Sequence, residues 1–224
     1  MDWATPIDIY CERIDATFWS EPLNALTNAA FILAAYAAAQ RFRAAGLRDP
    51  LIAFLIGVVA LIGIGSFAFH TLATRGAVVL DVIPITVFIY GYLLLAVRRF
   101  IGLRIAATAA LLVAFFAVSY GLSALVPRQW LNGSVDYLPP LFALYAVGLL
   151  SHDPAIRRGI LAAATLFTAS LALRTADLAA CTVLPIGTHF LWHVLNAGVL
   201  HVLLVTAIDA SGTRRDAPSG LPAA

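Results

Sequence analysis

Five residues in a strongly apolar chain have the types and spacing for metal chemistry. His189 and His193 stand four residues apart in "GTHFLWHVL", so a helix puts both imidazoles on one face. His70 closes "GSFAFH", Ser66 lies one helical turn before it, and Asp81 follows in the next apolar run. Three imidazoles that leave one position for water are the ligand set of a catalytic zinc. An i, i+4 histidine pair supplies two of the nitrogens from one rigid helix. A nearby carboxylate can move protons, and a hydroxyl can stabilise an oxyanion. Haem is an alternative for a histidine pair across helices, but it uses neither Asp81 nor Ser66. His201 falls about two turns deeper than this level and His152 at the opposite end of the spans, so neither joins the set.

The elements that must carry these residues are membrane-spanning helices. Of 224 residues, 62% are hydrophobic and 12% charged, and the mean hydropathy is +0.91. A soluble domain holds about twice that charge, so the chain reads as a polytopic membrane protein. A helix needs roughly 20 apolar residues to cross the hydrocarbon. Seven stretches qualify, at about 24–41, 51–70, 78–97, 105–126, 136–151, 159–179 and 186–208. The fold expected is therefore all-α, a seven-transmembrane helix bundle over residues 1–208. It is preceded by a short acidic segment (1–23) and followed by a disordered tail (209–224). The fifth stretch contains Pro139 and Pro140, which leaves its start open. A net charge of +2 argues against nucleic acid as a partner and leaves the lipid bilayer.

The arginines orient the bundle. Arg41, Arg43, Arg48, Arg98, Arg99, Arg104, Arg157, Arg158, Arg214 and Arg215 fall on one side, against Arg13, Arg75, Arg128 and Arg174 on the other. The expectation is an N-terminus outside and a C-terminus in the cytoplasm. The absence of lysine and the abundance of alanine point to a bacterial inner membrane, with the polar cluster toward the periplasm. Span 2 then ends outside at His70, span 3 begins there with Asp81, and span 7 begins there with His189 and His193. Ionisable groups at one membrane depth are costly and usually functional.

With these residues in place, the chain resembles the alkaline ceramidase family, part of a wider group of seven-span zinc hydrolases that includes the adiponectin-receptor type. The resemblance rests on "YCER", "FWSEPLNALTN", "GSFAFH" with Asp81 following, and "GTHFLWHVL", and it extends over all seven spans. It implies an intramembrane amidase that cleaves the N-acyl bond of ceramide to a sphingoid base and a fatty acid. His70, His189 and His193 would hold zinc, with Asp81 and Ser66 as catalytic residues. Asp81 acts as general base in this reading, or else as a fourth zinc ligand. The alternatives are a seven-span receptor or sensor with a structural zinc, a proton or ion transporter, and a hydrolase of a different acyl lipid.

The family also carries a calcium site before the first span, and there this sequence departs from it. "IYCERI" keeps Cys11 and Glu12 but has Ile9 and Ile14 where side-chain oxygens are expected. Glu21 matches the later acidic ligand. Asp8 and Asp15 are each one residue off, and the Tyr10 carbonyl completes the candidate set. Calcium needs six to eight oxygens; the alternative is a set of solvated acids near a helix start. Three further expectations concern structure. Asn24 and Asn28 hydrogen-bond between helices, Arg174 and Asp177 pair at i, i+3, and Cys11 and Cys181 either bridge or stay free. Trp19, Trp130 and Trp192 suit an interfacial belt.

Overall fold

The computed structural model describes residues 2–127 and 129–216, the last three by backbone alone. Its helices are α1 (Pro22–Thr27), α2 (Ala29–Ala44), α3 (Pro50–Leu72), α4 (Arg75–Arg99), α5 (Ile105–Leu125), α6 (Leu138–Leu150), α7 (Pro154–Ala180) and α8 (His189–Asp216). A 3-10 segment, Trp130–Tyr137, precedes α6. With α1 and α2 taken as one broken span, and the 3-10 segment joined to α6, seven helical stretches among the described residues are long and apolar enough to cross a bilayer. This is the architecture of an integral, multi-pass membrane protein. No strand occurs among the described residues beyond the single bridge of Pro6 to Thr74.

Local chemistry sets the helix boundaries. Asp49 caps α3 by accepting from the Leu51 and Ile52 N–H groups, and it also pairs with Arg99 at the end of α4. Thr74 caps α4, and Asp153 caps α7 with Pro154 in the first turn. A side-chain acceptor at this position satisfies N–H groups that the helix itself leaves unpaired. Pro139 and Pro140 fall in the first turn of α6, where proline is tolerated. The approach to it is irregular, with Leu131, Asn132 and Gly133 all in the left-handed region. The last helix runs to Asp216, so residues 209–216 are helical and not a disordered tail; Asp209 on this stretch pairs with Arg41. Residues 217–224 of that expected tail lie outside the described residues, as do Met1, Arg128 and the side chains of Arg214 and Arg215.

The main core is an apolar cluster shared by α2, α3, α4, α6, α7 and α8, and a small second one joins Tyr10, Phe69 and Ala77. Helix α5 stands at the margin, with Thr108 its one buried residue. Helices α3 and α4 approach closely at Gly65. A Cβ there would lie 2.1 Å from the Leu80 carbonyl oxygen. Gly65 is therefore what lets Ser66 and Asp81, the next residue on each helix, come to the same place. The N-terminal segment lies across this end of the bundle, which we call the capped end. It is tied to the α3–α4 turn by Ile7 N–H to Ala73 O (2.7 Å), Arg75 N–H to Thr5 O (3.0 Å) and Gly76 N–H to Trp3 O (3.0 Å).

Gly65→Ala is expected to cost about 1–3 kcal/mol, the range for forcing a group into a packed contact. Gly57→Ala, whose added Cβ meets nothing within 4 Å, is expected to be near neutral. Thermal unfolding of both variants in detergent checks the difference.

Candidate metal centre

His70 sits in the last turn of α3, and His189 and His193 in the first two turns of α8. The three rings face one another at the capped end. Their centroids are 4.6 Å (His189–His193), 4.7 Å (His70–His193) and 5.2 Å (His70–His189) apart. Each ring offers a nitrogen, and these atoms all lie within 4.8 Å of one another. All three residues are at most 2% exposed.

Two of the rings are oriented from behind. His70 Nδ1 lies 2.6 Å from Glu21 Oε2, and His193 Nδ1 lies 3.0 Å from Thr27 Oγ1. Engaging Nδ1 turns Nε2 of each ring inward and raises its basicity as a ligand, the usual arrangement behind metal-bound histidine. His189 is held differently. Its ring stacks on Tyr10 with centroids 3.6 Å apart, and its buried Nδ1 has no hydrogen-bond partner. Three buried, mutually close imidazoles, one with an unpartnered nitrogen, fit a metal ion; a buried polar atom left unsatisfied without one is costly.

Ser66 and Asp81 line a small polar cavity together with His189 and His193. Ser66 lies beside the Asp81 carboxylate, whose Oδ1 is buried and unpartnered. Asp81 is not among the mutually close ligand atoms, which are those of the three histidines. This cavity shares Ile62, Ile85 and Asn196 with a larger apolar one, which continues between α4, α6 and α8 to Tyr92 and Leu203. A polar cavity thus adjoins an apolar one.

The N-terminal acids do not assemble the expected calcium cage. Glu12 accepts from the Leu23 and Asn24 N–H groups at the start of α1, and burial raises its carboxyl above the ordinary range. Asp15 is exposed and turned to Thr17, and Asp8 is exposed. Tyr10 is buried as a ring against His189, with its phenol pushed up by burial. Glu21 is taken by Arg13 Nε at 2.5 Å and by His70. Burial alone would raise the Glu21 carboxyl, but the His70, Asn24 and Arg13 hydrogen bonds outweigh it and hold it low. Arg13 also donates to the His70 and Asp15 carbonyls. A built-in guanidinium sits where the carboxylate charge would have called for a cation.

The Arg174–Asp177 pair does not form either. The Asp177 carboxylate accepts from the N–H groups of Thr188 (2.7 Å), His189 (2.9 Å) and Cys11 (3.0 Å), so it caps α8 and fastens the N-terminal segment at once. Gly187 makes this contact possible: its φ is +64°, and a Cβ there would lie 2.1 Å from Asp177 Oδ1. Cys11 and Cys181 are bridged, which resolves that alternative. Asn24 and Asn28 bond within the α1–α2 span and to Glu21 and not across helices; both side-chain oxygens are buried without a partner. Of the three tryptophans set aside for an interfacial belt, Trp192 is buried in the cavity wall. The supporting roles of Glu21, Thr27 and Asp177 have no signature in spacing, because each depends on how the N-terminal segment folds back.

Fold and site together define an integral membrane protein of seven spans with a buried three-histidine group that can hold a metal ion. No family model matches this chain, and no curated protein matches it.

Glu21→Gln removes the charge behind His70 while keeping the side-chain shape. Zinc affinity, measured by competition with a chromophoric chelator, is expected to fall by about 10–100-fold, the usual loss for an outer-shell partner.

Proposed function

We propose that the protein is a zinc-dependent amidase that hydrolyses the N-acyl bond of a lipid amide of the ceramide type, as the resemblance to alkaline ceramidases implies. One observation carries the reading: the three imidazoles meet beside the cavity that Ser66 and Asp81 line, and that cavity adjoins an apolar one. A receptor or a structural metal site has no need of a buried carboxylate with a free oxygen lining a cavity beside the histidines. A lipid amide uses all of these parts. Its acyl chain suits the apolar cavity, and its carbonyl falls at the polar one.

His70, His189 and His193 would hold the ion. Zinc, when bound by three protein ligands, supplies Lewis acidity and brings the pKa of water toward about 7. Asp81 Oδ1 then takes the proton of the attacking water and returns it to the leaving amine nitrogen. The Ser66 hydroxyl donates to the oxygen of the carbonyl under attack as negative charge develops on it. Burial of the chamber keeps bulk water from competing for these hydrogen bonds. The arginine asymmetry supports an active site toward the non-cytoplasmic face, where a lipid can enter sideways from the outer leaflet.

The test is a panel of lipid amides presented to purified protein in nanodiscs, with metal content measured in parallel. Asp81→Asn is expected to keep zinc and lose at least about 10²-fold in turnover, the scale of general acid–base catalysis. His193→Ala is expected to lose both zinc and turnover. Full activity of Asp81→Asn would remove the base from the mechanism, and zinc binding without any amide cleavage would leave a metal site with another purpose.

A further inference from the structure

One face of α8 borders both cavities in turn. His189, Trp192 and His193 line the polar cavity, and Val199, Leu200 and Leu203 line the apolar one. Asn196 stands between the two groups and lines both cavities. Steps of three and four residues put all of these side chains on one stripe of the helix. The other residues common to the two cavities are Ile62 of α3 and Ile85 of α4. At the junction, Asn196 is therefore the polar side chain among apolar neighbours.

Nothing within the fold uses its amide. Polar side chains nearby have partners: Ser170 donates to the Trp192 carbonyl (3.2 Å), and the Tyr92 hydroxyl donates to the Leu203 carbonyl (2.9 Å). Asn196 is 7% exposed, and among the described residues its side chain has no hydrogen-bond partner. Asparagine in a membrane span ordinarily bonds to a neighbouring helix, because hydrocarbon meets neither its N–H donors nor its oxygen. The unpartnered oxygens of Asn24 and Asn28 are sealed inside the protein, but the Asn196 amide is not, so it stays open to the cavities it lines.

Asn196 follows His193 by three residues, about 4.5 Å along the helix axis, in the direction in which the apolar cavity continues. A ligand with its carbonyl at the polar cavity and its chain in the apolar one passes Asn196 with the first few carbons beyond that carbonyl. Plain methylenes there leave the amide unpaired and shut off from water, which is costly. A hydroxyl at that point accepts from Nδ2 or donates to Oδ1. We propose that Asn196 is a hydroxyl-binding subsite, and that it selects acyl lipids hydroxylated on the second or third carbon of the acyl chain. The seating of the carbonyl rests on the amidase reading.

Binding of the acyl products is the readout, so no cleavage is needed. Palmitate, 2-hydroxypalmitate and 3-hydroxypalmitate are titrated into the full chain in detergent, followed by calorimetry and by thermal shift. Wild type is expected to bind at least one hydroxy acid about fivefold or more tightly than palmitate, the scale of one neutral hydrogen bond. Asn196→Leu is expected to abolish that preference while binding palmitate as well as wild type does, which shows that it folds. Asn196→Ala, which adds no bulk, is expected to abolish it too. Equal affinities for the three acids in wild type overturn the proposal. So does a preference that survives both substitutions, as it would if the hydroxy acid gripped a metal ion through two oxygens. An equal loss for all three acids also overturns it and makes Asn196 a partner of the carboxyl end or of the fold. An Asn196-dependent preference in a protein that cleaves no lipid amide would sink the amidase and keep the subsite; amide cleavage indifferent to an acyl hydroxyl would do the reverse.

Discussion

A single buried carboxylate organises the capped end of this molecule. Glu21 joins Arg13 of the N-terminal segment to His70 of α3, and its own residue immediately precedes α1. Two charges and an imidazole are thereby held out of water in mutual contact, which is tolerable only because each has its partner. If Glu21 is removed, Arg13 is left buried and unpaired, the His70 ring is free to turn, and the segment that covers the histidines loses an anchor. The metal group is a set of side chains that three separate parts of the chain must bring together, and Glu21 bonds to two of those parts.

The same end of the bundle shows how an apolar chain keeps polar atoms under control. Backbone N–H groups released at the starts of α1 and α8 are taken by Glu12 and Asp177, carboxylates from distant parts of the sequence. What the protein does not satisfy is as informative. His189 Nδ1 and Asp81 Oδ1 are buried without partners, and both belong to residues that line one cavity. Other buried atoms also lack partners, the Asn24 and Asn28 oxygens among them, but these two belong to residues that face one cavity and so offer a ligand two polar contacts at once.

The sequence revealed the scaffold well because membrane helices are specified by length and apolarity, properties of consecutive residues. Their ends were harder: α7 begins at Pro154 and α8 continues to Asp216, beyond the apolar runs, because caps and an ion pair extend them. The histidines were legible because an i, i+4 pair and one further ring at the same depth leave few other arrangements. The acids of the N-terminal segment were not. The resemblance suggested a calcium site there, whereas Arg13, a residue that the family pattern leaves unspecified, supplies the positive charge beside Glu21. Arg174 and Asp177 looked like a helical ion pair by spacing alone, but each faces a different tertiary neighbour. Spacing predicts contacts along a helix; it is silent on competitors from elsewhere in the fold.

The bridge between Cys11 and Cys181 has a consequence for biosynthesis. It joins residues 170 apart, so the segment around Cys11 can be fastened only after the six spans between the two cysteines have been made. Two of the three imidazoles arrive later still, in the last helix to be made. A partly synthesised chain therefore holds one histidine of the group and no closed cap, and it cannot capture a metal ion in the wrong coordination. Completion of the site is deferred until α8 has been made, and its sealing falls to whatever oxidises thiols on that face of the membrane.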